Sequence, residues 1–60
     1  MLPKEPNILL SVINTKLRDF YDLLDSLCDD LDESRDEIIE ILTTIDYFYD
    51  KEKNQFVKRI

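Results

Sequence analysis

The stretch LCDDLDESRDEIIEIL, residues 27–42, holds the densest set of groups able to do chemistry: Asp29, Asp30, Asp32, Glu33, Asp36 and Glu37. Carboxylates gathered this closely serve two chemistries, coordination of a hard cation and paired general acid–base catalysis. A calcium loop needs glycine at its sixth position and a bidentate glutamate at its twelfth. Counted from Asp30, those positions fall on Arg35 and Ile41, and counted from Asp50 the loop runs past the last residue. Neither start works, and no metal or cofactor is expected. Paired carboxylates catalyse only inside a cleft, which a chain of 60 residues has little room to form. Histidine is absent, so Ser-His-Asp and Cys-His arrangements are unavailable. Cys28 is the only cysteine; it lies on the apolar side of its segment and reads as a small buried hydrophobe. The expectation is a protein that is not an enzyme.

The elements that carry these groups follow from apolar spacing. Leu9, Leu10, Ile13, Leu17 and Phe20 recur at three and four residues, which predicts a first helix over about 7–20. Pro6 suits its first turn and Asn7 is a competing cap. The stripe then shifts to Leu24, Leu27, Cys28 and Leu31, a second helix over about 23–31, with Asp22 as cap and Asp25 in its first turn. Ser34 followed by Glu37 forms a capping box that opens a third helix over about 34–44, burying Ile38, Leu42 and Ile45. Beyond it, Tyr47, Phe48 and Tyr49 favour strand, DKEKN is a polar reversal, and QFV is a second short strand. The expected fold is mainly α: a three-helix, helix-turn-helix-like unit followed by a wing-like β-hairpin over about 46–58, as one domain over residues 1–60. Its expected core is Leu10, Ile13, Leu17, Leu24, Leu27, Leu31, Ile38, Leu42, Ile45 and Phe56. A chain this short buries only about 60% of its unfolded surface, so each large apolar side chain matters.

Composition narrows the function classes. Glycine is absent, which excludes loops that cradle phosphate with backbone lacking Cβ. No apolar run approaches the roughly 20 residues that span a bilayer, and NILLSVI is too short for a secretory leader, so a cytoplasmic setting is expected. Net charge is −6, unevenly placed. Residues 22–40 carry nine acids against Arg35, a net −8, while residues 51–60 carry Lys51, Lys53, Lys58 and Arg59 against Glu52, a net +3. An acidic surface serves solubility or steers a basic partner. A recognition helix here would present Arg35, Asp36, Ile39, Glu40 and Thr43, more acid than base. Duplex affinity rests on neutralised phosphates, so DNA binding through that helix is disfavoured. The alternative, a winged-helix-like DNA-binding regulator, would depend on Lys51, Lys53, Lys58 and Arg59. The favoured expectation is a protein-interaction or regulatory module, binding a partner or a second copy through Arg35, Ile39, Glu40 and Ile41. Ile39 and Ile41 fall on opposite flanks of the buried stripe, and a small core has difficulty hiding both.

Several motifs add a resemblance: LPK.P, LLS..N.KLRD.Y, LD.LC.DLD.SR.E, Y.YD and NQF, spread over residues 1–57. The chain resembles the short bacterial proteins grouped as domain of unknown function 4250. The resemblance implies no activity. It does imply a shared polar site at Asn14, Lys16 and Arg18 with Asn54 and Gln55, residues that would either bind a common ligand or tie the hairpin to the first helix. The family pattern carries glycine where this chain has Asp46, a position where glycine would end the third helix in a left-handed turn.

Overall fold

A computed structural model describes residues 2–59. Three helices, α1 (Pro6–Asp19), α2 (Leu24–Leu31) and α3 (Arg35–Thr43), precede an antiparallel hairpin of β1 (Tyr47–Asp50) and β2 (Gln55–Lys58). The chain is mainly helical with a small C-terminal hairpin, as expected. Each helix buries one row: Leu9, Ile13 and Leu17 from α1, Leu24, Leu27 and Cys28 from α2, Ile38 and Leu42 from α3. Phe56 of β2 closes this core.

The row on α1 is 9–13–17, at strict intervals of four, which turns Leu10 to the flank, where it is half-buried. Phe20 is not in the core at all. Helix α1 stops at Asp19, and Phe20 leaves helical geometry with φ −127°, so its side chain no longer continues the stripe. Leu31 and Ile45 are also only half-buried, because one is the last residue of α2 and the other lies beyond the end of α3.

Caps account for the helix boundaries. Glu5, not Asn7, opens α1: its carboxylate accepts the Ile8 amide at 2.8 Å, and Pro6 takes the first helical position. That amide holds the Glu5 carboxyl below the usual carboxylate range. Helix α2 begins after Leu23 and has no cap from its own neighbourhood; Asp22 does not serve. The Leu24 amide instead donates to the Tyr49 hydroxyl at 3.2 Å, a cap delivered by the hairpin. Ser34 forms half of the expected capping box, its hydroxyl accepting the Glu37 amide at 3.3 Å, while Glu37 Oε1 lies 4.0 Å from Lys4 Nζ. A cap of this kind contributes about 1 kcal/mol.

A chain without glycine still has to turn. Positive φ falls on Asp32 (54°), Asp46 (63°) and Asn54 (52°), the residue types whose short polar side chains tolerate the left-handed region. Asp32 ends α2, Asp46 leads from α3 into β1, and Asn54 closes the hairpin turn. Asp46 therefore takes a conformation that glycine adopts most readily. Replacing it tests the cost: Asp46→Gly should raise the unfolding free energy by up to about 1 kcal/mol in urea titration, with no change in helix content by circular dichroism.

Candidate functional site

The polar residues of the resemblance divide into two groups. Asn14, Asn54 and Gln55 come together, joined by Tyr49. The Asn14 amide docks on the backbone of Phe56 from the side away from β1: its oxygen accepts the Phe56 N–H at 2.8 Å and its nitrogen donates to the Phe56 carbonyl at 3.1 Å. Gln55 donates to the Asn14 carbonyl at 3.1 Å. Asn54 donates to the carbonyls of Leu17 (3.0 Å) and Tyr21 (2.8 Å), acceptors at and just past the end of α1. The Tyr49 hydroxyl donates to Asn54 Oδ1 at 2.6 Å while accepting the Leu24 amide. The Tyr49 ring leans on Phe56 with centroids 5.5 Å apart. Three amide side chains and one phenol thus tie α1, α2 and the hairpin together.

Most of these groups bond backbone or one another. Among the described residues no buried side-chain nitrogen or oxygen lacks a hydrogen-bond partner. The cluster holds the hairpin to α1 and α2, with the Asn14, Asn54 and Tyr49 side chains bonded on both sides. Lys16 and Arg18 do not join it; Arg18 forms a local pair with Asp19 at 2.9 Å on the surface. Sequence reasoning missed Tyr49. Its signal was the hairpin register, which sets Tyr49 opposite Phe56 and so beside NQF.

The expected partner face on α3 is altered too. Ile39 and Ile41 are not exposed; both are half-buried and pack against the core. The core accommodates both because Ile39 and Ile41 border its Ile38–Leu42 row on either side. Arg35 is engaged with Asp25 at 2.9 Å, a bridge between α2 and α3 in which both side chains remain largely in water and so contribute little. Glu40 is exposed. Ile38 and Ile41 line an open cleft of about 210 Å³ between the Leu2–Lys4 segment and the start of α3.

Among the described residues four large apolar ones are exposed, Ile8 (54%) in the first turn of α1, Phe48 (42%) on β1, and two at the corner between α1 and α2. Phe20 is 73% exposed and Leu23 51%. The Tyr21 hydroxyl between them donates to Asp30 of α2, which stiffens the corner and holds the phenol above its usual range. Sequence reasoning placed Phe20 in the core stripe; the spacing 24–27–28–31 already left Leu23 off it.

Cys28 is buried, and burial together with the charge of Asp25 pushes its thiol up, away from the reactive thiolate. Among the described residues no three His, Cys, Asp or Glu side chains gather where a metal ion could sit. No described helix is long and apolar enough to cross a membrane. The cations of the C-terminal end split: Lys51 and Lys53 sit in the hairpin turn, Lys58 and Arg59 at its open end. Four-residue strands separate those ends by about 10 Å or more.

A trihelical unit whose hairpin is tied down by asparagine and glutamine amides is the class that fold and site define. Residues 3–56 match the model of the family described as Domain of unknown function (DUF4250), and the chain belongs to that family. Searches of curated proteins and of solved structures return no match.

If the amide cluster is a structural tie, its removal should cost stability. Asn54→Ala removes three hydrogen bonds and the residue type suited to positive φ, for about 2–4 kcal/mol. Tyr49→Phe, which loses one hydroxyl, should cost about 1 kcal/mol. Chemical denaturation of both variants checks the order as well as the size.

Proposed function

We propose that this chain is a small protein-interaction module of the bacterial cytoplasm, without catalysis, that docks a basic segment of a partner through the corner at Phe20 and Leu23. One observation carries the reading: a 60-residue chain, short of apolar surface to bury, leaves Phe20 73% exposed and Leu23 51% exposed within four residues. Single apolar residues on a surface are ordinary, whereas two large ones within one short corner resemble the anchors of interfaces. The corner leads into residues 22–40, net −8, where eight of nine acids are exposed. Such a surface accelerates encounter with a cationic partner and opposes duplex DNA. A second copy, also at −6, is repelled for the same reason. The lone, buried cysteine fits a reducing compartment.

The test compares immobilised wild type with Phe20→Ser/Leu23→Ser, whose side chains lie outside the core. The wild type should capture a basic protein from native lysate, less of it as salt rises. The variant should lose that capture with its circular dichroism unchanged. Equal capture by both would refute the corner. Sub-micromolar binding of random duplex at physiological salt would instead favour the nucleic-acid reading through Lys51, Lys53, Lys58 and Arg59.

A further inference from the structure

We infer that the outer edge of β1 is a second docking site, for an extended partner segment that alternates basic, apolar and basic side chains. The argument starts from which way the strand backbones point. Both the N–H and the C=O of Phe56 bond the Asn14 side chain, so both face away from β1. Hydrogen-bonded and non-hydrogen-bonded pairs alternate along an antiparallel ladder. The pair Tyr49–Phe56 is therefore non-bonded, as is Tyr47–Lys58, and the ladder bonds run through Phe48–Val57 and Asp50–Gln55. The Arg59 N–H donating to the Asp46 carbonyl at 2.6 Å keeps the same alternation one step beyond the strands.

It follows that the N–H and C=O groups of Tyr47 and Tyr49 point outward from β1, four backbone groups in a row. Among the described residues none of them takes a partner. The two edges of the hairpin are thus unequal: Asn14 closes β2, and β1 is open. Of the devices that blunt an edge, β1 carries shortness and the charge of Asp50, but no proline, lysine or bulge.

The side chains then select the occupant. Phe48 is 42% exposed, with Asp46 and Asp50 two residues away on either side. An incoming strand would lie about 5 Å from β1, with Asp50 at one end of it and Asp46, in the turn before the strand, at the other. Arg59 stands across from Asp46 and shares a small hollow with it and Phe48, yet no ion pair joins them among the described residues. Lys58 ends β2 and Arg59 follows it, so their backbone stands a further strand spacing, about 10 Å in all, from the incoming strand. Lys51 and Lys53 lie past the strand end in the turn. The acids dominate what the incoming strand meets. A second copy, paired about Phe48, would set Asp46 against Asp50 twice, and like charges directly opposite are unfavourable. A segment with a cation opposite each acid and an apolar residue over Phe48 suits the edge.

This site is separate from the corner at Phe20 and Leu23, and a synthetic peptide reads it directly, so either can fail alone. The experiment titrates ¹⁵N-labelled protein with acetyl-Lys-Thr-Val-Thr-Lys-amide and with acetyl-Glu-Thr-Val-Thr-Glu-amide. The basic peptide should shift the Tyr47 and Tyr49 amides, slow their solvent exchange, and bind at least about fivefold tighter than the acidic one. Asp46→Asn/Asp50→Asn keeps the residue type suited to the left-handed turn and an acceptor for the Glu52 amide, and should reduce that preference to within about twofold. Equal binding of both peptides, no response at millimolar concentration, or shifts centred on β2 would overturn the proposal. So would sedimentation as a dimer with Tyr47 and Tyr49 already protected, which would make the second copy the occupant.

Discussion

Everything in this fold depends on how the hairpin is held to α1, and that is done by amide side chains. Asn54 sits in a left-handed turn and sends both amide hydrogens to carbonyls at the end of α1. Its oxygen fixes the Tyr49 hydroxyl, which in turn caps α2. A single side chain thereby sets where α1 ends, where α2 begins and where the hairpin turns. The geometry follows from an obligation: the last carbonyls of a helix must find donors, and this chain supplies them from 33 and 37 residues away. With the hairpin in place Phe56 seals the core; without it, Leu17 and Leu24 would lose their cover.

The same tie shapes the surface. Ending α1 at Asp19 and starting α2 after Leu23 leaves a four-residue corner, and the corner puts Phe20 into water. Asn14, by spending its amide on Phe56, closes one edge of the hairpin and leaves the other as the one sheet edge the described chain presents. Two candidate contact surfaces are thus by-products of one set of hydrogen bonds. The charge pattern is layered over them, acids along α2 and α3, cations divided between the two ends of the hairpin.

Local features were legible in the sequence and long-range ones were not. The three helices, the Ser34 cap, the hairpin and the burial of Cys28 all rest on spacing within a few residues, and all appear in the structure. The resemblance pointed to Asp46 as the place for a left-handed turn at the end of α3, and the turn is there. The start of α2 was misassigned to an Asp22 cap because its true cap, Tyr49, is 25 residues distant and periodicity carries no trace of it. Phe20 looked like core because the stripe continues to it on paper, while the helix stops one residue earlier. Whether Ile39 and Ile41 are exposed was open in the sequence, because they flank the stripe of α3; its buried face is wide enough to half-cover both. Of the polar residues, Asn14, Asn54 and Gln55 meet in the structure, while Lys16 and Arg18 stand apart from them.

The central claim is that the hairpin and the helices form one cooperative unit through that tie. Native-state hydrogen exchange measures it directly. The account predicts that the Phe56 amide, bonded only to the Asn14 side chain, opens with the same free energy as the Ile13 and Leu42 amides of the helix core. Exchange of Phe56 through a separate, lower-energy opening while Ile13 and Leu42 remain protected would contradict it.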